Sequence, residues 1–481
     1  MSTFIDPRTF SVFTRICFSA TSLHAASMMA ASPPQTLPDT TLAPAGETRV
    51  AIQNVGCKLN NYEVESLKSA FGARGYRVVG FDSPADVYVV NTCTVTGSGD
   101  ADSRKALRRA KRGNNEALVV ATGCYAQRRP EELVTAGAGL VLGNAQKAGL
   151  VATVESVLAG GEPPNFDPHL RPFTEEFLAI EGVVPEGRTR GTLQIQDGCD
   201  EHCTYCIIPR VRGSGSSRDA EEIIAQARQM VDMGYREIAL TGVHSGSYGY
   251  DRDRPEDLVE LLQGFEAIPG LRRIRLNSIE PGYISDELVE FAANSKCFCR
   301  HFHIPLQSGD DHILRRMGRR YTSAYYADRI FHIAESLPDC AIGADVMVGF
   351  PGEEDRHFQE TCELLESLPM TYLHVFTYSL REDTPAQRLP NHQVKAVKSD
   401  RARHLIELGQ RMRLEFHKGA VGTEVEVLVE SKAESPSSLA RGMTDNYIRV
   451  SFAAGPSAKV NDFVSIHVER AREDLVFGSQ R

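Results

Sequence analysis

Residues 191–206 read Gly191-Thr192-Leu193-Gln194-Ile195-Gln196-Asp197-Gly198-Cys199-Asp200-Glu201-His202-Cys203-Thr204-Tyr205-Cys206, and the fold is decided in this stretch. Thr192–Gln196 predicts a short buried strand, and three cysteines follow it within one eight-residue span, Cys199–Cys206. Further strands are expected at Glu237–Thr241, Arg273–Asn277, His301–Pro305, Gly343–Val348 and Leu373–Tyr378, with amphipathic helices such as Ala220–Met233 and Pro255–Ala267 between them. Six βα units suit an incomplete (βα)6 TIM-like barrel, open on one side to admit a large substrate. Periodicity alone leaves an open sheet equally available.

Upstream, Arg49–Val55, Val87–Asn91, Ala117–Thr122 and Leu140–Leu142 read as buried strands. Glu63–Arg74, Ser103–Arg112, Glu131–Ala136 and Ala145–Leu158 read as helices, so 47–160 is expected to be a parallel α/β domain of doubly wound type. The Pro- and Gly-rich stretch 161–190 is expected to link it to the barrel-like domain, 191–395. Asp400–His417 predicts a basic helix within a 396–419 connector. From Gly422 the pattern turns to strand alternation, with turns at Gly442 and Gly455-Pro456, which predicts a small β-barrel over 420–481. The class is therefore mixed α/β.

Composition bounds the partners. Of 481 residues, 53 are Lys or Arg and 63 Asp or Glu, a net charge of −10, which excludes nucleic-acid binding by bulk positive charge and leaves local basic stripes. No apolar run approaches the ~18 residues a membrane helix needs, so no membrane partner is expected. Residues 1–46 are rich in Ser, Thr, Ala and Pro and poor in acids; they read as a disordered leader, a segment upstream of a start at Met28 or Met29, or an organellar transit peptide. Without a secretory signal, the eleven cysteines are expected in a reducing, cytoplasmic setting where metal ligation prevails over disulfides.

Their spacing gives them meaning. Cys199, Cys203 and Cys206 offer three thiolates locally, whereas a closed structural zinc site uses four ligands. Such close spacing suits an iron–sulfur cluster, and three ligands on a four-iron cluster leave one iron open for a cofactor or substrate. The competing reading is structural zinc with His202 as the fourth ligand, which makes the chain a zinc-stabilised RNA-binding module. Cys57, Cys93 and Cys124 each stand just past the end of a predicted strand, where parallel sheets gather ligands. Adjacent strands would bring them together.

The octet Cys199–Cys206 has the form CxxxCxxC and resembles the signature of radical S-adenosylmethionine enzymes. With the upstream trio and the terminal β domain, the chain over 49–470 resembles the methylthiotransferases of that superfamily, the last module resembling a TRAM domain. Gly56-Cys57-Lys58-Leu59-Asn60 followed by Glu63 and Glu65 resembles the branch acting on threonylcarbamoyladenosine (t6A) in tRNA; the isopentenyladenosine branch usually has Gln at the position of Lys58. Leu306-Gln307-Ser308-Gly309, Gly349-Phe350-Pro351-Gly352-Glu353 and Tyr378–Ala386 match as well, while Arg210 and Val211 depart from a usual Tyr-Ala.

The resemblance implies two 4Fe-4S clusters, one on each trio, and S-adenosylmethionine chelated at the open iron of the second. One S-adenosylmethionine methylates sulfur on the first cluster. A second is cleaved, and its radical takes the C2 hydrogen of the adenine. It also implies a tRNA substrate, an electron donor and a sulfur source. Isopentenyladenosine and a ribosomal-protein aspartate are the rival substrates within the family.

Among other residues, Gly242 and His244 are expected, by resemblance, at the methionine end of the cofactor. Ser278, Glu280, Gln307 and Ser308 follow later strands and suit hydrogen bonds to a polar ligand, while Gly349 and Gly352 are expected to line the adenosyl pocket. His301 and His303, beside Cys297 and Cys299, read as alternating interior positions rather than as zinc ligands. Arg104, Lys105, Arg108, Arg109, Lys111 and Arg112 crowd one helix; Arg315, Arg316, Arg319 and Arg320 form a second basic group, and Arg401, Arg403, Arg411 and Arg413 a third. They are candidate phosphate contacts, and Tyr447 is a candidate to stack on an RNA base.

Overall fold

Strand Val87–Thr92 is buried at all six positions, which requires cover on both faces of its sheet. Helices Lys58–Ala73 and Leu150–Leu158 pack on one face through Val64, Leu67, Phe71 and Val154, and helices Gly97–Gly113 and Pro130–Thr135 on the other through Leu107, Ala110 and Leu133. The sheet is wholly parallel, in the order 77–79, 49–54, 87–92, 118–123, 140–141. That order reverses direction between strands 49–54 and 87–92, the point at which doubly wound sheets open a crevice for ligands. The computed structural model describes residues 48–166, 168, 176–180, 189–252, 258–431, 439–453 and 458–480. The expected leader over 1–46, much of the 161–190 linker and the Gly455-Pro456 turn lie outside those residues.

The six expected central strands form as Arg190–Gln194, Glu237–Thr241, Arg273–Leu276, His301–His303, Ala341–Val348 and Tyr372–Thr377. They make two three-stranded parallel sheets in simple chain order. A bridge between Ile274 and Phe298, with Cys299 N–H donating to the Ile274 carbonyl, joins the two. Sequential order resolves the choice left open by periodicity: a doubly wound sheet reverses direction, and this one does not. Among the described residues no pairing closes the sixth strand onto the first, so the barrel stays open. The 25-residue helix Lys395–Gly419 packs along the sixth strand.

The chain ends in a closed five-stranded barrel, Glu424–Ser431, Ala440–Met443, Arg449–Ala453, Val476–Gln480 and Phe463–Ala471, filled by Val427, Val429, Val450, Phe452, Ile466 and Val468. It sits against the amino ends of the central strands. Arg273 donates to the Met443 carbonyl, Arg275 to the Thr444 carbonyl, and Arg300 pairs with Asp445 at 2.7 Å. No helix of the described residues is long and apolar enough to cross a membrane.

Candidate active site between two cysteine trios

Cys57 and Cys93 follow the two strands that flank the reversal of the first sheet, and Cys124 follows the next strand. Chain order thus places three sulfurs at the carboxyl edge of one sheet. Gly56, at φ +123°, makes room for them: a Cβ there would stand 2.8 Å from Cys93 Cβ and 3.1 Å from its sulfur. The charges of Cys124 and Cys57 both bear on Cys93, whose thiol is pushed up to about 12, chiefly by burial.

The second trio occupies the loop after the first central strand. Gln196–Asp197 and Ser216–Ser217 pair as a small antiparallel ribbon that brackets the loop, and Cys199 N–H donates to the Gly213 carbonyl. Gly198 turns into the loop at φ +68°, where a Cβ would lie 1.8 Å from the Ser214 carbonyl oxygen, so no other residue fits. Thr204 N–H donates to the Met317 carbonyl, tying the loop to the helix after the fourth strand. All six sulfurs belong to free cysteines.

The two trios meet. Helix Ile208–Val211 packs on helix Cys124–Arg128, with Cys124, Ile207 and Val211 in one apolar cluster. Burial pushes the Cys206 thiol up, and the nearby Cys124 sulfur adds to the shift. Beneath this contact lies a buried polar network. Arg212 Nη1 reaches Glu63 Oε1 at 3.0 Å and Asp197 Oδ2 at 2.9 Å, and its Nη2 donates to Asn60 Oδ1 at 2.9 Å. Lys147 pairs with Glu63 at 2.7 Å and donates to Asn144, whose amide donates to the Val211 carbonyl. Burial would raise the Glu63 carboxyl, but Arg212 and Lys147 carry it down to about 2. Burial also opposes the charge on Arg212, and Asp197 and Glu63 outweigh it.

The pocket candidates separate into two groups. Around the CxxxCxxC loop, His244 N–H donates to Gln196 Oε1 at 2.8 Å, and Gly242 closes on the same side chain. The His244 ring stands edge-on to Tyr283, whose hydroxyl donates to Glu201 inside the cysteine loop. Among the described residues His244 Nε2 is buried without a hydrogen-bond partner. Glu280 pairs with Arg319 beside Cys203, Ser278 is exposed at the end of the third strand, and Gln307 holds a left-handed φ of 65°. Ser308 instead faces Thr361. Gly349 and Gly352 face their own chain: a Cβ would meet Lys398 at 2.2 Å and the Arg316 guanidinium at 3.0 Å.

The basic groups are largely spent internally. Arg104 bonds Tyr125, and Arg109 donates to Gln53 and lies 4.8 Å over Phe81, while Arg108 is exposed. Arg316 and Arg319 bond Pro351 and Glu280, Arg401 is buried on Glu353, and Arg403 pairs with neighbouring Asp400. Arg411 stays exposed near Glu366, and Arg413 lies over the Tyr372 ring. Tyr447 packs 4.4 Å from His301, under Arg275, at the bottom of the half-barrel.

Sequence reading missed Arg212, Lys147, Asn144, Tyr283 and the orphaned Nε2. Their partners lie far apart along the chain, and only the buried charges of Asp197 and Arg212 beside the cysteine loop could have drawn attention to them.

Known proteins place this arrangement. The model of the radical SAM superfamily matches residues 193–365, and that of uncharacterized protein family UPF0004 matches 49–143. The chain is 38% identical to threonylcarbamoyladenosine tRNA methylthiotransferase MtaB of Bacillus subtilis, over 88% of this chain and 94% of that one. It is 32% identical to tRNA-2-methylthio-N(6)-dimethylallyladenosine synthase of Desulfitobacterium hafniense, over 89% and 96%. Among solved structures, the radical S-adenosylmethionine methyltransferase TsrM of Kitasatospora setae shares the fold, at a TM-score of 0.53 and 15% identity, over 78% of this chain and 79% of that one. These matches describe an enzyme, and the non-catalytic zinc module falls away.

Proposed function

Because the chain belongs to the methylthiotransferase family of radical S-adenosylmethionine enzymes, we propose that it converts N6-threonylcarbamoyladenosine next to the anticodon of tRNA into its 2-methylthio form. In this reading Cys57, Cys93 and Cys124 hold one 4Fe-4S cluster and Cys199, Cys203 and Cys206 the other. The clusters and S-adenosylmethionine supply the sulfur, the methyl group and the radical. With these groups bound, one electron from a reductant would cleave the C5′–S bond of S-adenosylmethionine and release methionine. The C2 hydrogen would leave on 5′-deoxyadenosine, and the methylthio sulfur would exchange its bond to iron for one to C2, returning an electron to that cluster.

The observation that carries the proposal is the meeting of the two trios: helices Cys124–Arg128 and Ile208–Val211 pack together, with Cys124 among the groups bearing on Cys206. A sulfur-donating site and a radical-forming site must share one substrate atom, and this contact lets them. The donor sets fit, with three free thiols each and a glycine clearing the space beside Cys93. The orphaned His244 Nε2 suits a polar atom of the cofactor.

Lys58 supports the t6A substrate. It follows Cys57 directly, and its ammonium reaches from the first domain to Asn277 Oδ1 at 3.2 Å, at the end of the third central strand. An exposed cation held there by a neutral amide complements the carboxylate of a threonyl group, whereas an isopentenyl group offers it nothing. Reconstituted protein under anaerobic conditions should carry about eight irons per chain, four in each cluster. With S-adenosylmethionine, a reductant and a sulfide source, nucleoside mass spectrometry should show methylthio-t6A formed on tRNA carrying t6A. Methylthiolation of isopentenyladenosine instead, or one to two zincs in place of iron, overturns the assignment.

A further inference from the structure

The inner wall of the half-barrel carries a side-chain cluster that the cysteine chemistry does not use. His303 ends the fourth strand, Asp345 lies in the fifth and His374 in the sixth. The parallel register pairs His303 with Gly343, and Asp345 with His374. With side chains alternating along a strand, all three emerge on the same face. His303 Nε2 stands 2.9 Å from Asp345 Oδ1, and His374 Nδ1 stands 3.5 Å from the same oxygen. One ligand atom from each residue lies within 4.8 Å of the others.

We propose that His303, Asp345 and His374 form a site for one divalent transition-metal ion of the zinc class, separate from both cysteine trios. Zinc-type bond lengths of about 2.1 Å place tetrahedral ligand atoms roughly 3.4 Å apart, and the two observed separations straddle that value. Two imidazoles with one carboxylate form a borderline donor set, which selects zinc, cobalt or ferrous iron over calcium and magnesium. The ligand with least freedom is already aimed: the Tyr372 hydroxyl lies 3.1 Å from His303 Nδ1 and 2.8 Å from His301 Nε2. A partner on Nδ1 fixes the imidazole so that Nε2 takes the metal, as outer-shell groups do in zinc sites.

Charge and access agree with this. Asp345 is the one acidic side chain of the three, so the donor set offers a cation a single carboxylate. The neighbouring cations are engaged elsewhere, Arg275 with Glu237 and the Thr444 and Asp445 carbonyls, and Lys58 with Asn277. Side-chain exposure rises from 7% at His303 through 23% at Asp345 to 49% at His374. An ion therefore enters from the His374 side and keeps a position open to the barrel interior for an oxygen donor such as a carboxylate or hydroxyl. Cys297 and Cys299 take no part: Cys297 contacts Ser295 and Glu266, and Cys299 is buried toward Arg275 and Glu237.

The test is an anaerobic titration of the cluster-loaded enzyme, without tRNA, using cobalt(II) and then zinc(II) in competition with a chelating dye. One equivalent beyond the cluster iron is expected, with d–d bands of nitrogen and oxygen ligation and no thiolate charge transfer. His374→Ala should weaken uptake at least tenfold at unchanged iron content, and Asp345→Asn should do the same; Cys297→Ser should leave it unaltered. No uptake beyond the clusters, equal affinity in the wild type and His374→Ala, or thiolate charge-transfer bands would each overturn the proposal. The readout is metal affinity, so its failure is distinct from failure of the t6A assignment.

Discussion

Glu63 is 4% exposed and serves Arg212 and Lys147 at once, one from each side of the contact between the two domains. Removing its charge leaves Lys147 buried opposite an amide, and leaves Arg212 with Asp197 as its sole remaining carboxylate in this network. Breaking such a network costs about 3–5 kcal/mol, so Glu63→Gln should lower the urea midpoint of the anaerobic protein. The pH dependence follows from the depressed carboxyl. Its stabilising effect is complete above the ordinary value of 4.5 and drains away as pH falls toward about 2. Between those limits the wild type should lose stability faster than Glu63→Gln; parallel acid curves would show that the pair is not the linkage. His244 allows a second test. His244→Phe keeps a ring against Tyr283 and removes the orphaned Nε2. If that atom receives S-adenosylmethionine, cofactor affinity should fall about tenfold, the worth of one buried hydrogen bond, while iron content holds. Unaltered affinity in equilibrium dialysis would remove His244 from the pocket.

Element by element, the cysteines were legible because Cys57, Cys93 and Cys124 each follow a strand that its own local pattern announces, and the second trio is spaced as CxxxCxxC in one loop. The polar network was not: Arg212, Glu63 and Lys147 come from different helices and loops, and no periodicity links them. Helix Gly97–Gly113 begins six residues before the expected Ser103 because Thr96 accepts from Gly99 N–H and caps a Gly-Ser-Gly turn that composition marks as a breaker. The expected helix Ala145–Leu158 divides at Gly149 into a 3-10 turn, Asn144–Gln146, and Leu150–Leu158. Strand Arg77–Val79 escaped notice because three residues, two of them exposed, carry no alternation to read. The ribbon Gln196–Asp197/Ser216–Ser217 was equally invisible, being two residues a side, yet it shapes the cysteine loop. Gly198→Ala tests that element. A Cβ 1.8 Å from the Ser214 carbonyl forces the ribbon apart, so on the two-cluster proposal the second trio should fail to hold a cluster while the first keeps its own. Iron should fall by about half, from eight to four per chain, and S-adenosylmethionine cleavage should stop. Full iron occupancy would show that the turn tolerates the methyl group.

At the scale of the whole molecule, the surprise is where the terminal barrel sits. A terminal β-barrel joined to the rest by one helix has no need of further contact with the half-barrel, yet this one caps the amino ends of its strands, opposite the cysteines. Buried Arg273 and Arg275 spend their guanidinium hydrogens on the Met443, Thr444 and Asp445 carbonyls, and Tyr447 fills the space beside His301 and Tyr372. Removing the barrel would open Arg275 and Glu237 to water on one side and strip Tyr447 from His301, leaving it Tyr372 alone, so the module is part of the half-barrel's closure. A chain ending at Gly419 should therefore unfold at lower urea and retain less iron than the full chain, beyond any loss of tRNA binding. Arg300→Ala separates the two effects. It breaks the 2.7 Å pair with Asp445 and leaves the barrel's outer surface intact. If the cap is structural, this variant should lose stability by about 1 kcal/mol, as a half-exposed ion pair does, with its tRNA affinity at low salt unchanged. A truncated chain as stable as the full one would instead make the barrel a tethered module whose contacts contribute nothing to the fold.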